Sequence, residues 1–529
     1  MPNASKGRPR VRRERNAVPA RGLSEAQRRF LLLLLIMGVA AFLRLYQITA
    51  APPGLFPDEA MNGNDGLESI ETGHFRVFYP ENGGREGLFL NIQAGLVYLL
   101  GNQAWVLRLP SEIFGTLTVL ALYFLACRLF SPAVGLLASF FLATSFWHIM
   151  FSRIGLRAAS SDFFLVWAAY LLVEGLSRAR DGGAYRGRMI AAGAVYGLGF
   201  HTYIAYRVTP ALILPMLAYY CFEARKAGRW AAWRNAVAVY TGAAALVVAP
   251  LALYFARNPE EFVHRSAEIS VFRAPRPWLE VLINIWRMAR MIFFRGDFDW
   301  GHNIALRPEV FWPVAMLFAL GVALGCAALY RRARPWFAYA VALLWLVLAA
   351  VPAVLSTQNM PNAMRAILMV PAVCMLAAAG AEWLYGRLAA GVPPRWLQLG
   401  GAAVLLALCY EPYHSYFDVW AANPEVGLAF NAGGADIAAR INAMPKTAVK
   451  TVVAVAPGLG LGMPHAVQTV KFLTGSYTQR QQQEVNVHYI TRLAESDPDG
   501  VAFCEEVGRK IGQGAIFCLL EQPGPRSPF

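Results

Sequence analysis

Two adjacent carboxylates, Asp58 and Glu59, open a predicted helix in the stretch GLFPDEAMNGNDGLESIETGHF. Pro57 before them and Gly73 after them are typical of the start and the end of a helix. A carboxylate held beside a hydroxyl group can act as a general base. The same pair also has an ordinary explanation, because aspartate is a good N-cap and glutamate suits a helix N-terminus.

Two features of the surrounding chain favour chemistry at Asp58 and Glu59. Seven acidic residues but only two arginines lie between residues 49 and 86. The pair also follows closely on the apolar run 30–48, and charges beside a membrane are costly unless they are used. We therefore predict that these two carboxylates belong to an active site.

Five arginines are predicted to lie on the same side of the membrane as Asp58. A guanidinium group binds phosphate through paired hydrogen bonds and stabilises developing negative charge. An arginine at the end of a membrane span has an alternative role, in which the side chain extends its charge into the headgroup region. The five are Arg85, Arg153, Arg157, Arg207 and Arg365.

The composition is that of a membrane protein. Hydrophobic residues make up 57% of the 529 residues, charged residues only 15%, and the mean hydropathy is +0.40. Soluble domains carry about 25% charged residues, so much of this surface must face lipid. The net charge of +15 is concentrated in short loops between apolar runs, and no nucleic-acid motif is present.

The apolar runs predict an all-α polytopic protein with about eleven spans. The run 87–101 is short for a span, and we interpret it as a helix that lies on the outer surface. Three basic loops, 178–188, 225–234 and 331–334, predict the cytoplasmic side, together with a basic tail at 1–29. The predicted spans are 30–48, 109–127, 131–150, 162–176, 189–204, 208–223, 236–255, 310–330, 337–355, 363–381 and 397–411.

This topology divides the chain into three parts. The cytoplasmic tail (1–29) precedes a transmembrane region (30–411) with two large outer loops, 49–108 and 256–309. Residues 412–529 are predicted to form a soluble, extracytoplasmic α/β domain, because helical stretches there alternate with short strands such as TVVAVAP and GAIFCLL. Cys504 and Cys518 lie in this domain and could form a disulfide outside the cell.

The order of motifs in the first outer loop resembles a known enzyme group. The DEA helix is followed by REGLFLNIQAGLVYLLG and then by W-x-x-R-L-P-S at residues 105–111. This order resembles the polyprenyl-phosphate-sugar-dependent glycosyltransferases of the GT-C superfamily, of the protein O-mannosyltransferase and aminoarabinose-transferase type (glycosyltransferase family 39-like). The similarity covers roughly residues 30–410, with looser agreement at SRIGLRAASSD, RGDFDWGHNIALRP and NMPNAMRAILMVP.

The resemblance implies a GT-C-like transmembrane catalytic domain and a sugar transfer, with inversion, from a polyprenyl-phosphate donor to an acceptor hydroxyl outside the membrane. It implies Asp58 as the base and Glu59 beside it, and it favours Arg85 as a ligand of the donor phosphate. Arg153, Arg207 and Arg365 are predicted as further phosphate ligands from their expected position on the outer face. Asp162, His302 and Asn303 are predicted to contact substrate, although Asp162 could equally be an N-cap.

Two departures from the group leave the substrates open. REGL stands where the group more often has KPPL or HPPL, so neither the sugar nor the acceptor, whether protein, lipid or polysaccharide, is indicated. No WWDYG-type motif is present, which disfavours transfer to asparagine. Asp297, Asp299 and His302 form only a weak metal-ligand pattern, and we predict no metal and no required cofactor.

Two other classes of function fit the sequence less well. A transporter or flippase for a lipid-linked envelope precursor should show internal repeats and polar residues at mid-span, and the sequence shows neither. A scaffold with a passive anchor has no use for eleven spans or for an acidic first loop.

Overall fold

The computed structural model describes residues 23–457, 465–494, 497–511 and 514–520. Most of the predicted tail, residues 1–22, lies outside these ranges. Between residues 23 and 413 the regular elements are helices, apart from a two-stranded antiparallel hairpin of β1 (Phe78–Tyr79) and β2 (Arg85–Glu86). The helices are α1 (Glu25–Leu45), α2 (Pro57–Thr72), α3 (Gly87–Leu100), α4 (Ala104–Leu129), α5 (Pro132–Ala143), α6 (Phe146–Ser152), α7 (Ala158–Asp181), α8 (Arg186–Gly199), α9 (Pro210–Lys226), α10 (Trp230–Arg257), α11 (Pro259–Glu268), α12 (Pro277–Phe293), α13 (Trp312–Arg331), α14 (Trp336–Val354), α15 (Val370–Leu388) and α16 (Pro394–Tyr413).

Within the described residues, seven helices are long and apolar enough to cross a membrane, and α5 with α6, bent by 60°, gives up to eight. The protein is therefore a multi-pass membrane protein, and these eight coincide with eight of the eleven predicted spans. The seven are Ala104–Leu129, Ala158–Asp181, Ile204–Lys226, Trp230–Arg257, Trp312–Arg331, Trp336–Val354 and Ile367–Leu388.

The other three predicted spans correspond to α1, α8 and α16. These three helices are not both long and apolar enough to count as spans by the same criterion. Helix α1 carries arginines at both ends, and one of them, Arg44, is fully buried against the carbonyl groups of α1 and α5. Helix α8 has only 14 residues, about 21 Å at 1.5 Å per residue. The full count of eleven therefore stays a prediction.

Two further helices have the features of membrane-surface helices. Helix α3, the predicted outer-surface helix, has 14 residues and exposes Tyr98 and Leu99 at its end. Helix α12 exposes Trp278, Leu282, Ile285 and Trp286 along one side. A spacing of four, seven and eight residues places these four side chains on one helical face, which is typical of a helix lying in the membrane interface.

The C-terminal part forms the small α/β region predicted from the alternating pattern. Strand β3 lies between β4 and β5 in a parallel three-stranded sheet, with Lys450 opposite both Val487 and Ala515. Cys504 and Cys518 form a disulfide, with Cα atoms 6.1 Å apart. The elements are α17 (Pro424–Ala429), α18 (Ala432–Asn442), β3 (Lys450–Pro457), α19 (His465–Thr474), α20 (Gln479–Val485), β4 (Val487–Ala494), α21 (Asp497–Ile511) and β5 (Ala515–Leu520).

The segment between α16 and this sheet belongs to the helical bundle by its packing. Tyr416, Trp420 and Phe430 are fully buried in one cluster with Phe146 and Ile149 of α6. The predicted boundary at residue 412 thus precedes the α/β fold, because aromatic burial holds residues 414–430 against the membrane helices.

Candidate active site

Asp58 lies in the first turn of α2 and lines a cavity beside the β1–β2 hairpin. Its Oδ1 accepts a hydrogen bond of 3.0 Å from Nδ2 of Asn82, which stands in the hairpin turn at φ 53°. The N-cap of α2 is Phe56, so Asp58 does not cap the helix. The carboxylate is thus partly exposed and faces the cavity.

Glu59 has a different environment, since adjacent residues of a helix point in different directions. It is fully buried and bound at both oxygens by Arg108, at 3.1 and 3.2 Å, with further hydrogen bonds from the backbone N–H groups of Phe56 and Gly155. Arg108 also donates to the carbonyl groups of Pro52 and Gly54 at 2.8 and 2.7 Å. The structure does not bring Glu59 to the cavity, and the pair instead fixes the start of α2 that carries Asp58.

Several segments that are far apart in the chain supply the walls of this cavity. Polar side chains and the hairpin turn line one side, and residues from the beginning of α7 and from the segments before α9 and α15 line the other. The polar and aromatic side chains that line it are Asp58, Asn62, Asn82, Arg85, Arg157, Tyr203 and Arg365.

Arg85 is fixed in the cavity wall by three acceptors. Its guanidinium donates to Asp65 at 2.5 Å, to Asn62 at 2.7 Å and to the carbonyl of Glu81 at 3.3 Å. Its side chain is 2% exposed. Burial raises the pKa of Asp65 to about 6, although Arg85 opposes the rise. Arg85 is therefore held in one orientation before any ligand arrives.

Glu86 links two more arginines of the predicted set. One of its oxygens lies 3.3 Å from Nε of Arg157 and the other lies 3.5 Å from Arg207. Burial lowers the pKa of Arg157, and Glu86 opposes this effect. Arg207 also stacks on Phe262 and is not among the residues that line the cavity. One buried carboxylate thus holds two cations next to each other.

The remaining two arginines have contrasting positions. Arg365 lines the cavity and donates to Ser356 and to the carbonyl of Gln358. Arg153 is fully buried away from it, where its guanidinium donates to four backbone carbonyl groups at residues 43, 44, 46 and 51 and stacks on Tyr416 and Phe417. Arg153 therefore fastens the end of α1 rather than lining the site.

Asp162 lies one turn into α7 and is fully buried outside the cavity lining. In the described part of the chain neither of its carboxylate oxygens has a hydrogen bond, and the nearest charged partner is Nε2 of His148 at 3.9 Å. Asp162 does not cap α7, whose N-cap is Arg157.

His302 and Asn303 lie in a tightly bonded loop next to the site. Nδ1 of His302 is 3.3 Å from Asp297 and 3.7 Å from Asp299. Burial lowers the pKa of His302, but the charges of Asp299, Asp297 and Asp58 outweigh it and raise this pKa to about 9. The raised pKa favours the protonated form of His302, whose charge lies within electrostatic reach of Asp58.

Asn303 donates to the carbonyl groups of Asp297 and Arg307 and to Glu309, and so ties the loop to itself. Neither His302 nor Asn303 lines the cavity. Among the described residues, no group of three or more His, Cys, Asp or Glu side chains is placed to hold a metal ion.

The C-terminal region supports α2 from the side opposite the cavity. Asn64 donates to the side chain and the carbonyl of Gln468 at 2.9 and 3.0 Å, and Thr469 donates to the carbonyl of Leu55 at 3.2 Å. Phe472 is fully buried against α2 and α4. Helix α19 therefore fixes the position of the helix that carries Asp58.

Sequence reasoning did not single out Asn62, Asn82, Tyr203 or the Glu59–Arg108 pair. The Asn82-Gly83-Gly84 run was the available signal for the hairpin turn, because these residues favour the left-handed backbone that such turns need. For Arg108, the available signal was its position in the motif W-x-x-R-L-P-S.

Comparisons with known proteins agree with this architecture. Residues 88–255 match the sequence profile of the family described as dolichyl-phosphate-mannose-protein mannosyltransferase. No curated protein sequence matches the chain significantly. The family match covers α3 to α10, which includes Arg108, Arg157 and Arg207.

Solved structures with the same fold include ArnT from Cupriavidus metallidurans in its apo state, with 16% identity, a TM-score of 0.54, and 93% of this chain and 90% of that chain covered. ArnT bound to undecaprenyl phosphate gives the same identity and TM-score over 87% of this chain and 89% of that chain. The oligosaccharyltransferase of Archaeoglobus fulgidus, tethered with an acceptor peptide, gives 11% identity and a TM-score of 0.51, covering 88% of this chain and 68% of that chain. The GT-C-like fold predicted from the sequence is therefore confirmed.

Proposed function

We propose that this chain, a multi-pass membrane glycosyltransferase of the GT-C type by its family match and its fold, transfers a sugar from a polyprenyl-phosphate donor to an acceptor hydroxyl, with inversion. The observation that carries the proposal is the cavity in which the carboxylate of Asp58 shares the walls with Arg85, Arg157 and Arg365. A base beside several cations is the arrangement that attack on a sugar phosphate needs.

The step requires one proton acceptor and a stabilised leaving group. The acceptor oxygen forms a bond to the anomeric carbon while the bond from that carbon to the phosphate oxygen breaks. The electron pair of the broken bond stays on the phosphate, and the acceptor proton goes to Asp58. Because a lipid phosphate leaves as a stable anion, the step needs neither a general acid nor a cofactor.

We assign the cations according to where the structure places them. Arg85, Arg157 and Arg365 bind the donor phosphate, and Arg207 supports Arg157 through their shared partner Glu86. Arg153, which sequence reasoning included, is replaced by Arg157 in this set because its guanidinium is occupied by backbone carbonyl groups. Glu59 is a positioning residue, since Arg108 occupies both of its oxygens.

The site lies at the end of the bundle opposite to the basic loops. Arginines are frequent at 178–188 and 225–234, and the positive-inside rule places these loops in the cytoplasm. Asp58 and the C-terminal α/β region would then face the outside of the cell membrane. A reporter that fluoresces only in the cytoplasm, fused after Phe529, should stay dark, and a bright fusion would contradict this orientation.

The decisive experiment replaces Asp58 with asparagine. Sugar transfer by purified protein is measured from synthetic undecaprenyl-phosphate mannose, arabinose and glucose, each tested separately. Loss of a general base lowers the rate by about 10²- to 10⁴-fold, whereas donor binding should change little. An Asp58→Asn protein that melts normally and transfers sugar at the parental rate would contradict the catalytic assignment.

Asp65→Asn is a matched control for that measurement. Asp65 lies on the same helix, contacts Arg85 and does not line the cavity. We expect it to weaken donor binding while leaving the transfer rate at saturating donor nearly unchanged. An equal loss of rate in both variants would mean that any neutralised acid in α2 damages the site.

A further inference from the structure

A second cavity lies at the opposite end of the bundle from Asp58. It has a volume of about 990 Å³ and is lined by the last turns of α4, α7, α9 and α13 and by the start of α14. Five cationic side chains converge on it, and among the described residues Glu223 is the one acid in its lining. The cations are Arg128, Arg180, Lys226, Arg332 and Arg334.

Within the described ranges, two of these five cations have no acidic partner. Arg128 pairs with Glu174 at 3.2 Å, Arg180 pairs with Asp181 at 2.7 Å, and Lys226 lies 3.7 Å from Glu223. For Arg332 and Arg334, the described part of the chain offers no side-chain hydrogen bond and no ion pair. The cavity therefore keeps an excess of positive charge that its own residues do not neutralise.

Aromatic rings form one wall of the cavity. The rings of Tyr219 and Phe337 stack at 3.6 Å, and the edge of Trp336 lies against Tyr219 at 5.6 Å. The exposed side chains of Phe222 and Trp336 continue this apolar wall outward. Aromatic side chains with a polar edge are typical of the headgroup level of a bilayer.

We propose that this cavity binds the phosphate headgroup of an anionic glycerophospholipid, with its acyl chains against the aromatic wall. The site is separate from the donor site, because it is built from the other ends of the spans, and the proposal does not rest on the transfer reaction. Guanidinium groups on a preformed cavity recognise phosphate, and basic pockets between membrane helices bind lipid headgroups.

General orientation of the protein does not explain these observations. The positive-inside rule requires basic residues in the short loops, but it does not require five of them to converge on one cavity. Arg387 and Arg395 obey the same rule at the same end of the bundle, where they are exposed and each lies over a tryptophan ring outside the cavity. They provide a control with the same change of charge.

The test compares lipid binding by the full-length protein in detergent, measured by native mass spectrometry and by the shift of the melting temperature. Dioleoyl phosphatidylglycerol should bind to the parental protein, and dioleoyl phosphatidylcholine should not compete. In R332N/R334Q, phosphatidylglycerol should bind about 10- to 100-fold more weakly, the loss expected for charge-assisted contacts. Asparagine is chosen at position 332 because that residue has φ 50°, which asparagine tolerates.

The control R387Q/R395Q should bind phosphatidylglycerol as the parental protein does. If R332N/R334Q does not fold, Lys226→Glu, at an exposed position, should weaken the same lipid. Inorganic phosphate that competes fully for the site would make it a site for free phosphate and overturn the lipid assignment. Equal binding of both lipids, or equal losses in R332N/R334Q and R387Q/R395Q, would overturn the proposal.

Discussion

The two arginine-lined cavities lie at opposite ends of one helical bundle and hold their cations differently. At the Asp58 end, Arg85 is 2% exposed and has three acceptors, while Arg157 and Arg207 share the buried carboxylate of Glu86. At the basic-loop end, Arg332 and Arg334 line the cavity as exposed side chains. The same residue type is held by several partners at one end and is exposed at the other.

This difference matches what each cavity is proposed to do. Chemistry needs cations that are already in place when charge develops, because reorganisation during the step raises the barrier. Binding a headgroup needs only net charge and room, and exposed arginines provide both at little structural cost. Under this proposal, buried acids paired with arginine distinguish the two cavities better than the number of arginines does.

Removing Arg108 should have the largest effect, because it leaves the carboxylate of Glu59 buried without its partner. Breaking a buried ion pair in this way costs about 3–5 kcal/mol. We expect Arg108→Met to lower the melting temperature strongly and to lose transfer with it. Arg334→Gln at the other end should melt close to the parental protein, and equal melting of the two variants would remove the contrast in rigidity.

Raising the pH should loosen the Asp58 end through His302. Its pKa is raised to about 9 in the folded protein, against about 6.5 in an unfolded chain. The stabilisation is therefore fully present below about pH 6.5 and is lost as the pH rises through about 9, roughly 3 kcal/mol in all. The melting temperature should fall over this window in the parental protein and stay flatter in His302→Gln.

His264→Gln is the control for the pH measurement. His264 lies in α11 and is exposed, so this variant should keep the parental pH dependence. A flat profile in both variants, or in the parental protein itself, would mean that the charge on His302 does not hold the loop.

Replacing a cavity arginine should affect donor binding more than folding. Arg85→Ala removes a charge-assisted contact worth about 1.5–3 kcal/mol, and we expect about 10- to 100-fold weaker binding of undecaprenyl-phosphate sugar. Arg76→Ala is the matched control, since Arg76 lies just before the same hairpin, pairs with Glu81 and does not line the cavity. Equal affinities in the two variants would place the donor phosphate elsewhere.

Removing divalent metal ions should have the smallest effect, and the quantity measured is the transfer rate. The cavity holds cations of its own, so we expect a chelator such as EDTA to leave the transfer rate within about twofold. The measurement is the transfer rate before and after dialysis against the chelator, with added Mg²⁺ or Mn²⁺ as the control. A complete loss that Mn²⁺ restores would show that the arginines alone do not stabilise the leaving phosphate.

The local sequence pattern was enough to predict the spans and strands, because these elements depend on interactions between residues that are close in the chain. The apolar runs predicted eight spans that the structure supports, and the alternation around VVAVAP predicted strand β3 and its neighbours. The sequence did not decide whether a helix crosses the membrane where charge interrupts an apolar run, as in α1, or where the helix is short, as in α8. Length and composition alone do not decide whether such helices cross the membrane.

The roles within the site depend on contacts that sequence spacing does not reveal. Asp58 and Glu59 look equivalent in the chain, but one turns toward the cavity and the other toward Arg108, 49 residues away. From the sequence, Arg153 is a candidate phosphate ligand. In the structure its guanidinium stacks on Tyr416 and Phe417, which lie far along the chain. Only the tertiary packing separates a reactive charge from one that holds the backbone.

The contact between α2 and α19 has a consequence for how the protein is made. Asn64 and its partner Gln468 are 404 residues apart in the chain. At a synthesis rate of 5–20 residues per second, the helix that bears Asp58 is complete roughly 20–80 s before the segment that braces it leaves the ribosome. The site therefore reaches its final geometry only after all the membrane helices have been inserted. A nascent chain stalled before residue 465 carries every cavity-lining residue but lacks one side of the support for α2.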